Sequence, residues 1–544
     1  MSKITFYSEN KEEYSMKKIK KALAILLSAV MSATMLGSCG SMEEMMGKLG
    51  DFASSVYDGI GDIIDLPNEN PEEVENSSSI GGENPDKNPE ENPNENPNDN
   101  PNENPNENQP AQGTRALDFT KAKNVKDVTD LYYYIDGCPT VGDLNVLVIP
   151  VEFSDVTASS KGYTVDKIEK AFNGQAGDTD YYSVHDYYYQ SSGGKLDIEF
   201  TVASSWFKPA SRSSSYKSKV DSEGYFIGDQ MIMDEALASL SKTIDLSEFD
   251  SDDNAIIDAV ILVPTLDVSE DIQEDSDMLH WAYRYWNYYV DDDGYYYEYD
   301  GVSANDYMWA PYQFLYEDDY GFNNKNAMNT YTFIHEFGHI LGAEDYYDTS
   351  YTLSGDEMPL GGYDMMDAMT GDHNPFTKFH YGWLTTSRLV TAETSVTLTL
   401  EDFTKNGDTI IIANDWKDDL GVYQEYYIIM YYTNNGLNAG EGFGFFEEEG
   451  ILVYHVNAVL YKETDQGQAC YDFANTNTDP SDEDYGTEDN LIEYIKLSQT
   501  SYVYGVGDSL SASTKTDTGA KIAYTFTVDS LTDSTATLTF TKNK

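Results

Sequence analysis

The chain has 544 residues, of which 40% are hydrophobic and 45 are tyrosine, so it has enough apolar sequence for two or three cored domains. Its formal net charge of −63 repels nucleic acid and anionic lipid. That balance excludes a nucleic-acid-binding role and suits divalent cations.

Residues 16–39 read as an export signal behind a polar extension, Met1–Ser15, and Met16 is a candidate start. Lys17, Lys18, Lys20 and Lys21 form a basic head, and the apolar run from Ala22 to Leu36 is too short to span a bilayer comfortably. The run ends in Leu36-Gly37-Ser38-Cys39, which resembles the lipobox of bacterial lipoproteins. That resemblance implies cleavage before Cys39, lipidation of Cys39, and a membrane anchor that displays the chain on the bacterial cell surface. Several acyl chains on one residue anchor stably where one does not. The competing reading is an ordinary signal peptide with an incidental cysteine.

Residues 39–66 form a short, partly amphipathic segment. Residues 67–113 are dominated by Asn, Glu and Pro with ENPN-type repeats, and they have too few apolar side chains to bury a core. They are expected to be an extended tether, with a reach on the order of 100 Å where polyproline-like.

Globular sequence begins near residue 114. Leu144 to Phe153 is a nearly continuous apolar run and predicts a buried central strand. Val165 to Phe172 predicts a helix. Ser183 to Lys195 predicts a helix, a turn and a glycine pair, and Leu196 to Ala203 alternates like a strand. Met231 to Leu240 predicts a helix, and Ala255 to Val263 a second buried strand. Running from before this strand into it, Asp250, Asp252, Asn254 and Asp258 place oxygen side chains at positions 1, 3, 5 and 9 of a calcium loop. Ala255 stands where such loops carry Gly, and Ile261 where they carry a bidentate Glu, so a solvated acidic turn competes with calcium.

His335, Glu336 and His339 form H-E-x-x-H. On a helix the two histidines share one face and can reach a single ion. Zinc takes neutral imidazole, keeps a position for water and brings that water to ionise near neutral pH. Glu336 is the expected general base and acid. Only seven residues are His, and composition alone would produce the pattern roughly 0.01 times in such a chain. Phe333, Phe337, Ile340 and Leu341 mark an apolar stripe at helical spacing, and Gly342 is a natural stop. The run continues as H-E-x-x-H-x-x-G-x-x-D, so a turn at Gly342 brings Asp345 back as a third ligand. This resembles the long zinc motif of metzincin peptidases, with Asp in place of the more common third His. Glu344 and Asp348 are neighbouring carboxylates that compete for the role.

After Leu384 the pattern becomes β-rich. Ser395–Leu400, Thr409–Ala413, Glu425–Tyr432, Gly450–Val456, Ala523–Val528 and Ala536–Thr541 are strand-like runs between Gly, Asn and Asp turns, which predicts a β-sandwich. His455 reads as a strand residue, not a ligand. Cys138 and Cys470 can pair or stay free.

From about residue 140 onward the chain resembles the immune inhibitor A-like family of secreted bacterial zinc metallopeptidases. The resemblance is carried by VLVIPVEFSD (146–155), SVHDYYYQSSGGKL (183–196), FDSDDNAIIDAVILV (249–263), HWAYRY (280–285), HEFGHILGAEDYYD (335–348), GGYDMMD (361–367), KFHYGWL (378–384), EYYIIMYY (425–432) and EGILVYHVN (449–457). It implies an α/β (α+β) metzincin-like catalytic domain over 114–390 and a β-sandwich-like accessory domain over 391–544. It implies one catalytic zinc on His335, His339 and Asp345, and a methionine turn at Met366. Some metzincins carry a Tyr two residues after that Met; here the position is Ala368, and Tyr381 is a candidate substitute. The expected function is a surface-anchored endopeptidase that cleaves extracellular proteins or peptides, and a monomer is expected. The alternative is a non-catalytic surface binding protein, a glycan or host-protein adhesin on a peptidase-like scaffold.

Overall fold

The described chain opens on strand β1 (Thr114–Asp118), which joins a sheet made much later in the sequence. Strand β2 (Gly142–Val151) is the centre of the first half. Val146 and Val148 enter one core, and Leu147, Ile149 and Val151 enter another. Burial on both faces is why this stretch does not alternate. Helix α1 (Val165–Asn173) is capped by Thr164, and helix α2 (Val184–Ser191) by Ser183, whose hydroxyl accepts the Asp186 N–H at 3.2 Å. Strand β3 (Leu196–Val202) lies parallel to β2, and helix α3 (Gly228–Leu240) packs on the opposite face of the sheet from α1 and α2.

The run from Ala255 to Val263 does not form one strand. It divides into β4 (Ile256–Ile257) and β5 (Val260–Pro264), which sit in different sheets. Asp258 makes the break: its N–H bonds the Phe249 carbonyl at 2.9 Å, and its carboxylate accepts the Ser251 N–H. Strands β6 (Tyr283–Trp286), β7 (Glu298–Tyr299), β8 (Val302–Ala304) and β9 (Asp306–Trp309) follow. The main sheet has the order β3-β2-β5-β9-β6, parallel except for the antiparallel edge strand β6. Helix α4 (Tyr331–Ile340) packs on the α1/α2 face, and short helices α5 (Met365–Ala368) and α6 (Pro375–His380) lead out of this half.

The second half comprises β10 (Thr386–Val390), β11 (Ser395–Glu401), β12 (Thr409–Ile412), β13 (Glu425–Tyr432), β14 (Gly450–Asn457), β15 (Leu460–Asp465), β16 (Gln468–Phe473), β17 (Ile492–Tyr494), β18 (Tyr524–Leu531) and β19 (Thr535–Lys542). A six-stranded sheet runs β1-β10-β12-β13-β14-β17, a three-stranded sheet runs β11-β19-β18, and β15 and β16 pair as a hairpin. Tyr427, Ile429 and Tyr431 pack with Leu398, Phe526 and Phe540 between the two sheets. Tyr426, Ile428, Met430 and Tyr432 share a core with α4. The large sheet is therefore a middle layer, buried on both faces. β1 is held against β10 by antiparallel pairing from Thr114↔Val390 to Asp118↔Thr386, so the segment that precedes the α/β half is a strand of the C-terminal half.

This computed structural model describes residues 113–121, 138–222, 224–269, 275–290, 296–316, 328–348, 358–440, 446, 448–465, 468–478, 489–498 and 501–544, and these belong to one compact unit. The export signal, Cys39, the 39–66 segment and the tether up to residue 112 lie outside the described residues, as does the Cys470 side chain. Among the described residues no helix is long and apolar enough to cross a membrane. The architecture is mixed α/β with several mixed sheets.

Candidate metal centre

Helix α4 is placed by its apolar stripe. Phe333 meets Phe172 edge-on, and Phe337 meets Phe200 and Tyr188, with centroid separations of 5.5, 5.5 and 5.1 Å. Seating that face on α1, α2 and β3 fixes where His335, Glu336 and His339 point. His335 Nδ1 lies 2.8 Å from the Met365 carbonyl, and His339 Nδ1 lies 2.9 Å from the Ala343 carbonyl. A carbonyl only accepts, so both Nδ1 atoms carry the proton and both Nε2 atoms present a lone pair.

Those lone pairs converge. The two Nε2 atoms are 3.2 Å apart, and Asp345 Oδ1 lies 3.0 Å from His335 Nε2 and 3.2 Å from His339 Nε2. Gly342, with φ 102°, makes the turn that returns Asp345 to the helix. Asp345 Oδ1 is buried and has no hydrogen-bond partner. A buried carboxylate oxygen facing two imidazole lone pairs is costly unless a cation lies among them. The donor set, two nitrogens and one oxygen at these separations, fits a tetrahedral zinc ion with one position left for water. Without a metal, a proton takes its place. Burial lowers the His339 imidazole, but the Asp345 carboxylate more than reverses this and raises it to about 9. Burial alone would raise Asp345, yet the His339 charge and the two close imidazoles hold its carboxyl well below the usual range.

Glu336 lies one residue along, 9% exposed. Burial raises its carboxyl above the ordinary value, while the His339 and His335 charges and the Arg284 backbone N–H oppose the rise. A carboxylate tuned upward in this way suits proton transfer near neutral pH.

The GGYDMMD segment contacts the centre at three points. Met365 supplies the carbonyl that orients His335, and the Met366 carbonyl accepts the Tyr346 N–H at 2.7 Å. Met366 is fully buried under α4: a Cβ at Gly338 would stand 2.6 Å from its Sδ. Tyr381 is buried and donates to the Gly338 carbonyl at 2.8 Å, bracing the helix. Of the competing carboxylates, Glu344 accepts from Thr476 at 3.1 Å, and Asp348 is buried outside the converging triad.

The aspartate loop folds on itself. Asp250 accepts the N–H groups of Asn254 and Ala255 at 3.0 and 2.8 Å, and Asn254 Oδ1 accepts from Ile256 at 2.8 Å. Carboxylate oxygens of Asp250, Asp252 and Asp258 come within 4.8 Å of one another. Burial raises Asp258 to about 6, with Asp252 and Asp250 adding to the rise.

Sequence reasoning missed two features. Arg284 on β6 and Asp306 on β9 form a buried two-pronged ion pair, with Nε to Oδ1 at 2.6 Å and Nη2 to Oδ2, and the guanidinium lies 3.9 Å from the Trp286 ring centroid. The pair ties the edge strand, whose backbone meets Glu336, to the sheet. His455 is buried among Glu425 at 3.0 Å, Glu493 at 3.3 Å and Asp517 at 3.8 Å. Both of its ring nitrogens face carboxylates, as an imidazolium with two N–H donors would require, and ligand atoms of Glu425, His455 and Asp517 also lie within 4.8 Å of one another. Burial alone would lower it, but these carboxylates raise it to about 9. Cys138 is a buried free thiol, and burial followed by the charge of Asp258 pushes it up.

No protein-family model matches the chain, and no curated protein sequence matches it.

Proposed function

We propose that this chain is a zinc-dependent endopeptidase of metzincin-like organisation, exported and held at the bacterial surface by a lipid on Cys39. The observation that carries the reading is the triangle of His335 Nε2, His339 Nε2 and Asp345 Oδ1, with sides of 3.0 to 3.2 Å, next to a buried glutamate. Zinc held there supplies a Lewis acid for the scissile carbonyl and acidifies a water. Glu336 takes the proton from the attacking water and delivers it to the departing amine nitrogen. The backbone N–H of Arg284 reaches Glu336, so the outer edge of β6 faces the base. An extended peptide laid along that edge passes the base, which favours a polypeptide substrate over a small ester or amide. We further propose calcium at Asp250, Asp252, Asn254 and Asp258, where it would stiffen the turn between α3 and β5.

The test is metal content by elemental analysis, alongside cleavage of an unfolded protein with and without chelator. One zinc per chain with chelator-sensitive cleavage supports the reading. Zinc without turnover on any protein favours the adhesin alternative, and a folded, metal-supplemented protein without zinc overturns the mechanism. Replacing Cys39 with Ser should release the chain from the membrane fraction.

A further inference from the structure

His335 and His339 are held by a helix, but Asp345 is not. It sits on irregular chain after Gly342, and something else must fix it. Part of the answer lies 131 to 133 residues away in sequence, where residues 475–478 leave strand β16 and cross the metal loop. Thr476 Oγ1 donates to Glu344 Oε2 at 3.1 Å. Thr478 Oγ1 donates to the Asp345 carbonyl at 3.3 Å. Asn477 Nδ2 donates to the Tyr346 carbonyl at 3.0 Å. All three residues of the metal loop from 344 to 346 are thus gripped by this one short segment.

The grip is itself anchored. Asn477 is fully buried, and its amide also donates to the Ile492 carbonyl at 2.7 Å and accepts the Ile492 N–H at 3.0 Å. The side chain therefore stands in for a strand partner at the start of β17, which is itself paired to β14. Asn475 Nδ2 donates to the Asn457 carbonyl at the end of β14, 2.7 Å away. On the other side, the Tyr346 N–H goes to Met366, so the Tyr346 residue is pinned at its N–H by the methionine segment and at its carbonyl by Asn477.

We propose that the 475–478 segment is a positioning strap for the metal, and that Asn477 and Thr478 set metal affinity by holding Asp345 in place before the ion arrives. The inference rests on the zinc reading above. The ordering cost of the third ligand is met when the protein folds, not when it binds the ion. The C-terminal sheet is then a part of the metal centre and not an appended module. Neither strap residue touches the reacting atoms, so both are positioning residues.

The test uses the full chain, stripped of metal, with zinc affinity measured by competition against a chromogenic chelator and the ligand field read from the spectrum of the cobalt-loaded protein. Asn477→Leu should weaken zinc roughly 10–100-fold, the range for groups that orient metal ligands. Because Asn477 is fully buried and its loss can compromise folding, Thr478→Val is the deciding variant: it keeps the shape and deletes only the hydroxyl. It should weaken zinc several-fold and alter the cobalt spectrum while metal-free thermal unfolding stays close to the parent, and Thr478→Ser should restore both. Parent-like affinity in Thr478→Val, or an equal loss in Thr478→Ser, overturns the strap. A parent protein that binds no zinc overturns the zinc reading instead, so the two failures are distinguishable.

Discussion

Single atoms decide the candidate metal centre. Glu336 differs from the ligands beside it in having no converging lone pair to share, and its raised carboxyl suits it to carry a proton. Glu336→Gln is expected to keep zinc within a few-fold of the parent and to lower kcat by about 10²–10⁴, measured on one peptide substrate with metal content checked in the same sample. Turnover within a few-fold of the parent would remove Glu336 as the base. Gly338 has a different task. It leaves room for Met366, and a Cβ there would stand 2.6 Å from the sulfur. Gly338→Ala should lower unfolding stability by about 1–3 kcal/mol through overpacking, read from the urea midpoint at constant slope. The gain in helix propensity from Gly to Ala is smaller, about 1 kcal/mol, so the clash decides the sign.

At the level of elements, edge strand β6 is held by more than its ladder to β9. Arg284 and Asp306 are both nearly inaccessible, so removing one strips the other of a buried counter-charge. Asp306→Leu is expected to cost about 3–5 kcal/mol, and Arg284→Met with Asp306→Leu together should cost clearly less than Asp306→Leu alone, as a double-mutant cycle in denaturant would show. Additive losses would mean that the pair is not coupled. Strands β13, β14 and β17 are joined by a charged clamp, with His455 between Glu425 and Glu493. Its folded pKa, about 9, is above the unfolded value, so its contribution is fully present below about pH 6.5 and is lost as pH rises through 9. The stability gap between the parent and His455→Gln should therefore be on the order of 2 kcal/mol at pH 6 and shrink toward zero by pH 10, measured by thermal unfolding across that range. A gap that grows with pH would show that the imidazole is neutral in the folded state.

For the whole molecule, the six-stranded sheet is the common wall of two cores. One face packs against the α4 side of the α/β half, and the other against the three-stranded sheet. Strand β1 precedes the α/β half in sequence and completes the C-terminal sheet in space. A chain ending at residue 390 would expose the apolar residues that now meet Tyr426, Ile428, Met430 and Tyr432. Such a truncation is expected to aggregate or bind fluorescent hydrophobic dyes, and the untruncated unit should give one cooperative calorimetric transition. Two separable transitions would show that the halves fold independently.

Much of the site could be read in the sequence because its parts are local. His335 and His339 are four apart on a helix whose apolar stripe is plain, and Gly342 marks the turn that returns Asp345, so the three converging donor atoms and the proposed base fall within eleven residues. The strands β2, β13 and β14 announced themselves by unbroken apolar runs for the same reason: each is buried on both faces. The single strand expected from Ala255 to Val263 failed because Asp258 spends its backbone and carboxylate on the preceding loop, a competition that hydrophobic pattern does not register. The choice among the carboxylates at 344, 345 and 348 was open in the sequence, and the fold separates them by what each touches. Tyr381 had a hydroxyl to offer, and packing turned it to the Gly338 carbonyl. The Asn-Thr-Asn-Thr run at 475–478 carries no periodicity and no motif, and its three contacts to the metal loop arise only when β14, β16 and β17 are assembled. Local spacing determines which atoms can share an ion, because a helix and one glycine suffice to gather them. Tertiary structure alone decides what holds them still, because the groups that do so come from distant parts of the chain and have meaning only once both cores have closed on the shared sheet.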